Sequence, residues 1–458
     1  MKPRTLLAVP LVTTLLAAGC SGRGGSEETV AAPAASASSA ATGTFGDLTA
    51  LCQPGKPTSA PTQGVTATEI KVGVFSDIGF TKNAEFVDTA KVFTSWCNDA
   101  GGINGRKLVA ETRDSKLFEV RQRMVQSCAS DFAIVGGGSA LDALGVKDRL
   151  TCLLPAFPAQ VTQDGNVGSD LQLSQIGGAS YSGYAGYYNW LLKEAYPGSA
   201  GAVGIIAADS PVTKYLVDQD KEALAGSGAT VSYTDLYPPI GVSDWTPYAQ
   251  AIKSKGVKGL VFLGDYSSLS KLEQVLTGIG YKLDWIDANN NAYGPAFLSL
   301  AGPSLATQNN LADLGGVYPL ENASGNPATQ QVIDLFKKYA PDGHITLPAV
   351  RGFAAWLLFA KAAASCGDAL TRTCLYEAAR KQTTWTAGGL QAELDMSQLD
   401  APPNCFNVEK ATPGGWQPAD FKPNKGAYRC DGSSFKLVTS KSKPLTLADV
   451  GKSMSDLK

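Results

Sequence analysis

From residue 69 onward, short apolar runs alternate with amphipathic stretches of ten to twenty residues. Residues 70–75 (IKVGVF) read as a strand. Residues 83–100 place Phe86, Ala90, Phe93 and Cys97 on one face of a helix, and Gly101-Gly102 closes it, because glycine enters a left-handed cap without strain. Residues 107–112 predict a strand, 118–130 a helix and 132–135 a buried strand; a glycine run with Ser139, a short helix and a strand at 153–154 follow. A second series starts with a strand at 202–207 and a helix opened by Pro211. It continues with a strand at 230–236, a helix at 244–254 with Asp244 as candidate cap, a strand at 259–263, a helix at 267–278 and a strand at 283–286. Strands alternating with helices at this spacing predict parallel sheets covered on both faces, and two such series predict two doubly wound α/β lobes. After Gly315 come helices at about 328–340, 346–365 and 371–381, then a Pro-, Gly- and Cys-rich segment, 403–438, with short strands.

The ends of the chain read differently. Lys2 and Arg4 precede an apolar run over 6–16, and Leu16-Ala17-Ala18-Gly19-Cys20 follows. A short basic start, an apolar run too short to span as a mature helix and small residues before a cut describe a secretory signal. The Cys after Ala-Gly resembles a bacterial lipobox, with Ala17 where Leu is usual; the resemblance implies that Cys20 becomes a lipidated N-terminus, exported and anchored to the outer face of the cell membrane. Residues 21–64 are rich in Ser, Ala, Gly, Pro and Thr and read as a flexible tether, and 441–458 as a C-terminal tail. Beyond residue 20 no apolar stretch is long enough to cross a bilayer; 353–364 contains Lys361 and reads as a buried helix.

The formal net charge is −2 and no like-charge run occurs, which argues against nucleic acid as a partner. With Cys20 set aside, the nine cysteines leave an even set, as disulfides in an exported protein require. Closeness in sequence suggests Cys366–Cys374 and Cys405–Cys430, then Cys128–Cys152 and Cys52–Cys97, with other pairings open. No CxxC spacing occurs and His344 is the only histidine, so neither a metal site nor a cofactor is expected.

Residues 69–74 (EIKVGV) lead into a helix ending Asn98-Asp99-Ala100-Gly101-Gly102-Ile103-Asn104-Gly105-Arg106-Lys107-Leu108. This element resembles the signature of the branched-chain amino acid (Leu/Ile/Val) binding proteins of ABC transporters, with their type I periplasmic-binding fold. Residues 132–140 (FAIVGGGSA) are similar to that family's third strand and ligand loop, 351–366 to its long C-terminal helix, and Gly388-Gly389-Leu390 to a late turn. The resemblance implies a first lobe of 66–178 plus 318–395, a second of 179–317 plus 396–440, and a hinge of three crossings. It also implies a monomer that captures a small polar molecule, an amino acid or related amide or carboxylate, and delivers it to an ABC permease, with the membrane reached through the lipid anchor only.

In open parallel sheets, ligands sit outside the carboxyl ends of strands. That rule selects Ser76 and Asp77 after the first strand, Gly137, Gly138, Ser139 and Ala140 after the third, and Ala156, Phe157 and Pro158 after the fourth. In the second lobe it selects Asp209 and Ser210, then Asp265 and Tyr266. The amides and hydroxyl of 137–140 suit a ligand carboxylate, or else form only a tight turn. Asp265 could meet a ligand ammonium or cap the next helix; Phe157 could stack on the ligand or belong to the core. Tyr181, Tyr184, Tyr187 and Tyr188 read mainly as lobe packing near the first crossing, and Asn289-Asn290-Asn291 as a polar loop. Two alternatives stay open: a ligand sensor of the same fold serving a signalling or envelope partner, and a hydrolase using Asp77 and Asp265 as paired cleft carboxylates. His344 follows Pro341-Asp342-Gly343 in a turn, which does not suggest a triad, and no enzyme is expected.

Overall fold

A computed structural model of the protein describes residues 43–458. Cys20, the lipobox-like segment and the first part of the expected tether lie outside the described residues. Strands β1 (Glu69–Ser76), β2 (Lys107–Asp114), β3 (Ala133–Val135) and β4 (Ala156–Phe157) form one sheet in the order β2-β1-β3-β4, parallel throughout. Helices α1 (Ile78–Thr81), α2 (Glu85–Asp99), α3 (Val120–Ser130) and α4 (Val146–Thr151) connect them. After α5 (Ala185–Trp190) comes a second series: β5 (Val203–Ala208), α6 (Pro211–Gly226), β6 (Val231–Tyr237), α7 (Thr246–Ser254), β7 (Gly259–Leu263), α8 (Tyr266–Gly278), β8 (Trp285–Asp287), α9 (Pro295–Ala301) and β9 (Asn310–Asp313). Helices α10 (Pro327–Tyr339), α11 (Leu347–Ser365) and α12 (Arg372–Arg380) precede the hairpin β10 (Val408–Thr412) and β11 (Gly415–Pro418). The second sheet runs β11-β10-β9-β8-β7-β5-β6, parallel from β6 to β9 and antiparallel at β10 and β11. This is a two-lobed, doubly wound α/β fold.

Helix α11 is long and apolar enough to cross a membrane, yet it is a core element, because nearly all of its residues are buried. An apolar circumference is what a fully enclosed helix requires. It packs on α2 in the first lobe, where Phe93 stacks on Trp356 with ring centroids 5.3 Å apart.

Four disulfides, Cys52–Cys97, Cys128–Cys152, Cys366–Cys374 and Cys405–Cys430, are formed in the pairing suggested by closeness in sequence. Three expectations are corrected. The fourth strand lies at Ala156–Phe157 rather than at 153–154, because Leu153 turns with a φ of 56° before the chain extends. The tether does not reach residue 64: Phe45, Leu51 and Cys52 are buried, and the Phe45 ring lies 5.1 Å from Phe353. A few apolar side chains and a disulfide to α2 hold this otherwise polar segment in place. Nor is 441–458 a free tail, since Leu447 and Leu457 are buried against Val146, Leu150 and Leu171.

Candidate functional site

The loops after β1, β2 and β3 converge on Asp77. Its buried carboxylate accepts hydrogen bonds from the Ser115 hydroxyl (2.6 Å), the Leu117 amide (2.8 Å), the Ser139 hydroxyl (3.1 Å) and the Ala140 amide (2.7 Å). The glycines ahead of Ser139 serve close packing: a Cβ on Gly136 would meet Trp356 Nε1 at 2.3 Å, and one on Gly137 the Phe75 carbonyl at 2.3 Å. The Gly138 amide is engaged by the same Phe75 carbonyl at 3.1 Å, and Ser76 Oγ accepts from the Ile78 amide at 3.2 Å. The donors expected to hold a ligand carboxylate therefore hold one already, and it comes from the chain itself.

The other expected positions separate. Phe157 belongs to the core: its ring is fully buried, edge-to-face with Phe359 at 5.6 Å. Ala156, next to it in β4, pairs with Ile134 across the sheet. Asp209 is exposed and ion-paired with Lys214. Asp265 is exposed and caps α8 by accepting from the Ser268 amide at 2.8 Å. Tyr266 is partly buried against the main hydrophobic core. Asp209, Asp265 and Tyr266 stand away from the walls of the large cavity described next.

That cavity measures about 430 Å³, within the range of small-molecule sites. The chain segments around the three expected crossings all run along its wall: 174–178 with Tyr181 and Tyr184, Gly315 to Val317, and Gln391 to Cys405. The first lobe adds Pro158, Thr162, Gln172 and Arg351; the second adds Tyr215, Gln219 and Asp313. A smaller cavity of about 50 Å³, lined by Phe75, Val120, Met124 and Ile134, shares Pro158 and Gln172 with it. Tyr181 and Tyr184 thus face the cavity, whereas Tyr187 and Tyr188 are buried packing residues.

Arg351 sits in the first turns of α11 and donates to the Leu314 carbonyl at 3.4 Å, its one hydrogen bond among the described residues. Burial lowers its pKa, opposed by the neighbouring Tyr184 and Asp313 side chains. On the second-lobe side lies a cluster of buried acids. Burial pushes Asp220 up to about 7, against a hydrogen bond from the Tyr188 hydroxyl at 3.0 Å. Burial, then the nearby Asp220, raises Asp287 well above the carboxylate range. Asp313 is pushed up to about 6 by burial and held down by the Gly315 amide and Arg351.

Sequence reasoning missed Arg351, Gln172, Gln219 and Tyr215. Arg351 did leave a signal: it is the single charge in the otherwise apolar stretch 347–360.

The chain superposes on several solved structures. A fatty acid ABC transporter substrate-binding protein from Thermomonospora curvata matches with a TM-score of 0.67 at 18% identity, covering 84% of this chain and 97% of that one. A branched-chain amino acid ABC transporter protein from Thermus thermophilus with bound valine gives 0.63 at 14% identity, over 77% and 96% of the two chains. A leucine-binding protein from Thermotoga maritima gives 0.61 at 15% identity, over 76% and 97%. No curated protein sequence matches the chain. A family profile described as periplasmic binding protein matches residues 69–405, most of the chain and all of both sheets up to the last hairpin, and with the two parallel sheets and the cavity along their crossings this places the chain in the periplasmic binding protein family.

Proposed function

We propose that the protein is an exported solute-binding lipoprotein that captures a small organic ligand between its lobes and hands it to an ABC permease. The observation that carries this reading is the cavity of about 430 Å³ walled jointly by both lobes and by all three crossings. A ligand touching both lobes favours the closed form to the extent that its contacts differ between open and closed states. A permease that reads the closed shape then receives only loaded protein. The names of the similar structures mention a fatty acid in one case and valine in another, which supports a ligand with an apolar part and a polar head.

The same geometry speaks for binding rather than turnover. Asp77 and Asp265, the candidate carboxylate pair, are engaged by internal donors and by a helix cap, and His344 is exposed on a turn. In this reading Cys20 carries the lipid and the residues after it reach from the membrane to the folded body. A Cys20→Ser variant should move from the membrane fraction to the soluble fraction; unchanged fractionation would remove the anchor.

The test of the binding function is a thermal-shift screen of the full chain against amino acids, fatty acids, small acids, amides and sugars. A ligand at a hundred times its dissociation constant should add about 2.7 kcal/mol of stability. A screen in which no compound stabilises the protein refutes the reading.

A further inference from the structure

Two features of the interlobe region bear on the class of ligand. The loop cluster after β1 and β3 is closed to a ligand's carboxylate, because Asp77 takes both the Ser139 hydroxyl and the Ala140 amide. The large cavity, by contrast, exposes a guanidinium with little to do. Arg351 carries five N–H donors, and a single 3.4 Å bond to the Leu314 carbonyl is its one hydrogen bond among the described residues. Asp313, the carboxylate whose charge acts on it, forms no ion pair with it within 4.0 Å among the described residues, and Asp313 Oδ1 is held by the Gly315 amide at 2.8 Å. Of the other acids on the wall, Asp395 is engaged by Ser397 and Gln398, and Glu393 is exposed at the rim. A half-buried guanidinium with one long hydrogen bond keeps most of its donors for an anionic group that enters the cavity.

We propose that Arg351 anchors the charged end of the ligand and that the ligand is an organic carboxylate, held by a two-pronged guanidinium contact, with its uncharged part lying toward Tyr184, Tyr215 and Gln219. This deepens the solute-binding reading and rests on it. The planar fork of arginine matches a carboxylate in two parallel hydrogen bonds, which a ligand amide or amine cannot reproduce. The position suits a receptor: Arg351 belongs to a first-lobe helix, while Tyr215 and Gln219 lie on α6 of the second lobe, so a ligand spanning them touches both. The apolar pocket behind Pro158 and Gln172 gives a short aliphatic or aromatic end a place to go.

The experiment is calorimetric titration of the full chain with matched sets: hexanoate, hexanamide and hexylamine; benzoate, benzamide and benzylamine; and, for any carboxylate found in the broad screen, its own amide. The carboxylate of a set should bind, with its amide and amine at least about 30-fold weaker, the factor expected when one partner of a buried charged pair is removed. Arg351→Gln should erase that preference, and Arg351→Lys, which keeps the charge but loses the fork, should fall between. If Arg351→Gln does not fold, Arg351→Lys carries the test through a reduced carboxylate-over-amide ratio. A merely structural role, pinning α11 to Leu314, would change stability and leave the ratio alone. Carboxylate affinity unchanged in either folded variant overturns the proposal. Binders confined to neutral or cationic compounds overturn the anion class while the receptor function stands; no binder of any class overturns both.

Discussion

Removing the Asp77 carboxylate should unmask the slot it fills. Asp77→Ala deprives four donors of their acceptor: the hydroxyls of Ser115 and Ser139 and the amides of Leu117 and Ala140. The hydroxyls can turn. Ser115 Oγ already lies 2.9 Å from Ser139 Oγ and 3.1 Å from the Ser76 carbonyl, so neither needs to be orphaned. The two amides cannot turn, because the backbone fixes them. Each unsatisfied buried donor costs about 1–3 kcal/mol, so the substitution should destabilise the first lobe by roughly 2–6 kcal/mol. Urea unfolding followed by fluorescence should show a lower midpoint at constant slope, the mark of lost stability rather than an altered denatured state. Added formate or acetate should then restore part of the loss in Asp77→Ala, saturably, and do nothing for the wild type, because the donors that held the side chain would hold the free anion. A loss under about 1 kcal/mol, or equal rescue of both proteins, would refute the view that this loop is an anion slot closed by its own chain.

Asp220→Asn should flatten the pH dependence of stability: burial raises the folded-state pKa to about 7, so the wild-type contribution is complete below the unfolded pKa near 4 and is lost as pH rises through 7. Urea midpoints at pH 5 and pH 8 should therefore diverge more in the wild type than in the variant; parallel shifts would sink the assignment. The Cys52→Ser, Cys97→Ser double variant opens a loop with a sequence separation of 45 and should lose about 4 kcal/mol on the chain-entropy account. An unchanged melting temperature there would mean that residues 43–64 are held by packing alone.

The strand and helix series was legible because it rests on local signals. Alternation of apolar runs with amphipathic stretches located β1, β2, β3, β5, β6, β7 and β8 and the helices α2, α3, α6, α7 and α8 to within a few residues, but not α1 or α5. The failures share a cause. Strand β9 (NLAD) has no apolar pattern of its own, and it is a strand because β8 and β10 flank it. Asp77 was correctly singled out at a strand end, but no sequence signal tells whether a carboxylate faces a ligand or turns inward onto loops 38 and 63 residues away. Asp265 showed both the functional and the capping pattern, and the capping bond to Ser268 is the one formed. Arg351 went unnoticed because a polar residue in a core helix acquires meaning only once the crossings are seen to run past it.

The regions outside the family match shape what the shared fold can do here. The match ends at residue 405, yet the chain beyond it ties the lobes together. On α6 of the second lobe, Glu222 accepts from the amides of Thr439 (3.2 Å) and Ser440 (2.8 Å), and Gln219 donates to the Ser440 carbonyl at 3.2 Å. The strand-like stretch then passes the first crossing, where the Leu437 amide donates to Ser180 and that of Ser442 to Ala179. It reaches the first lobe through the Leu445 amide on Gly165 at 3.0 Å and the Leu447 amide on Asp170 at 2.7 Å, and it ends with Lys458 accepting from the Arg372 amide. Each such bond is worth about 1 kcal/mol net, but together they join the two lobes. The segment beyond the family boundary is therefore structural in both lobes: a version cut at residue 405 would lose β10 and β11 from the second sheet as well as the strap that connects α6 to the first lobe.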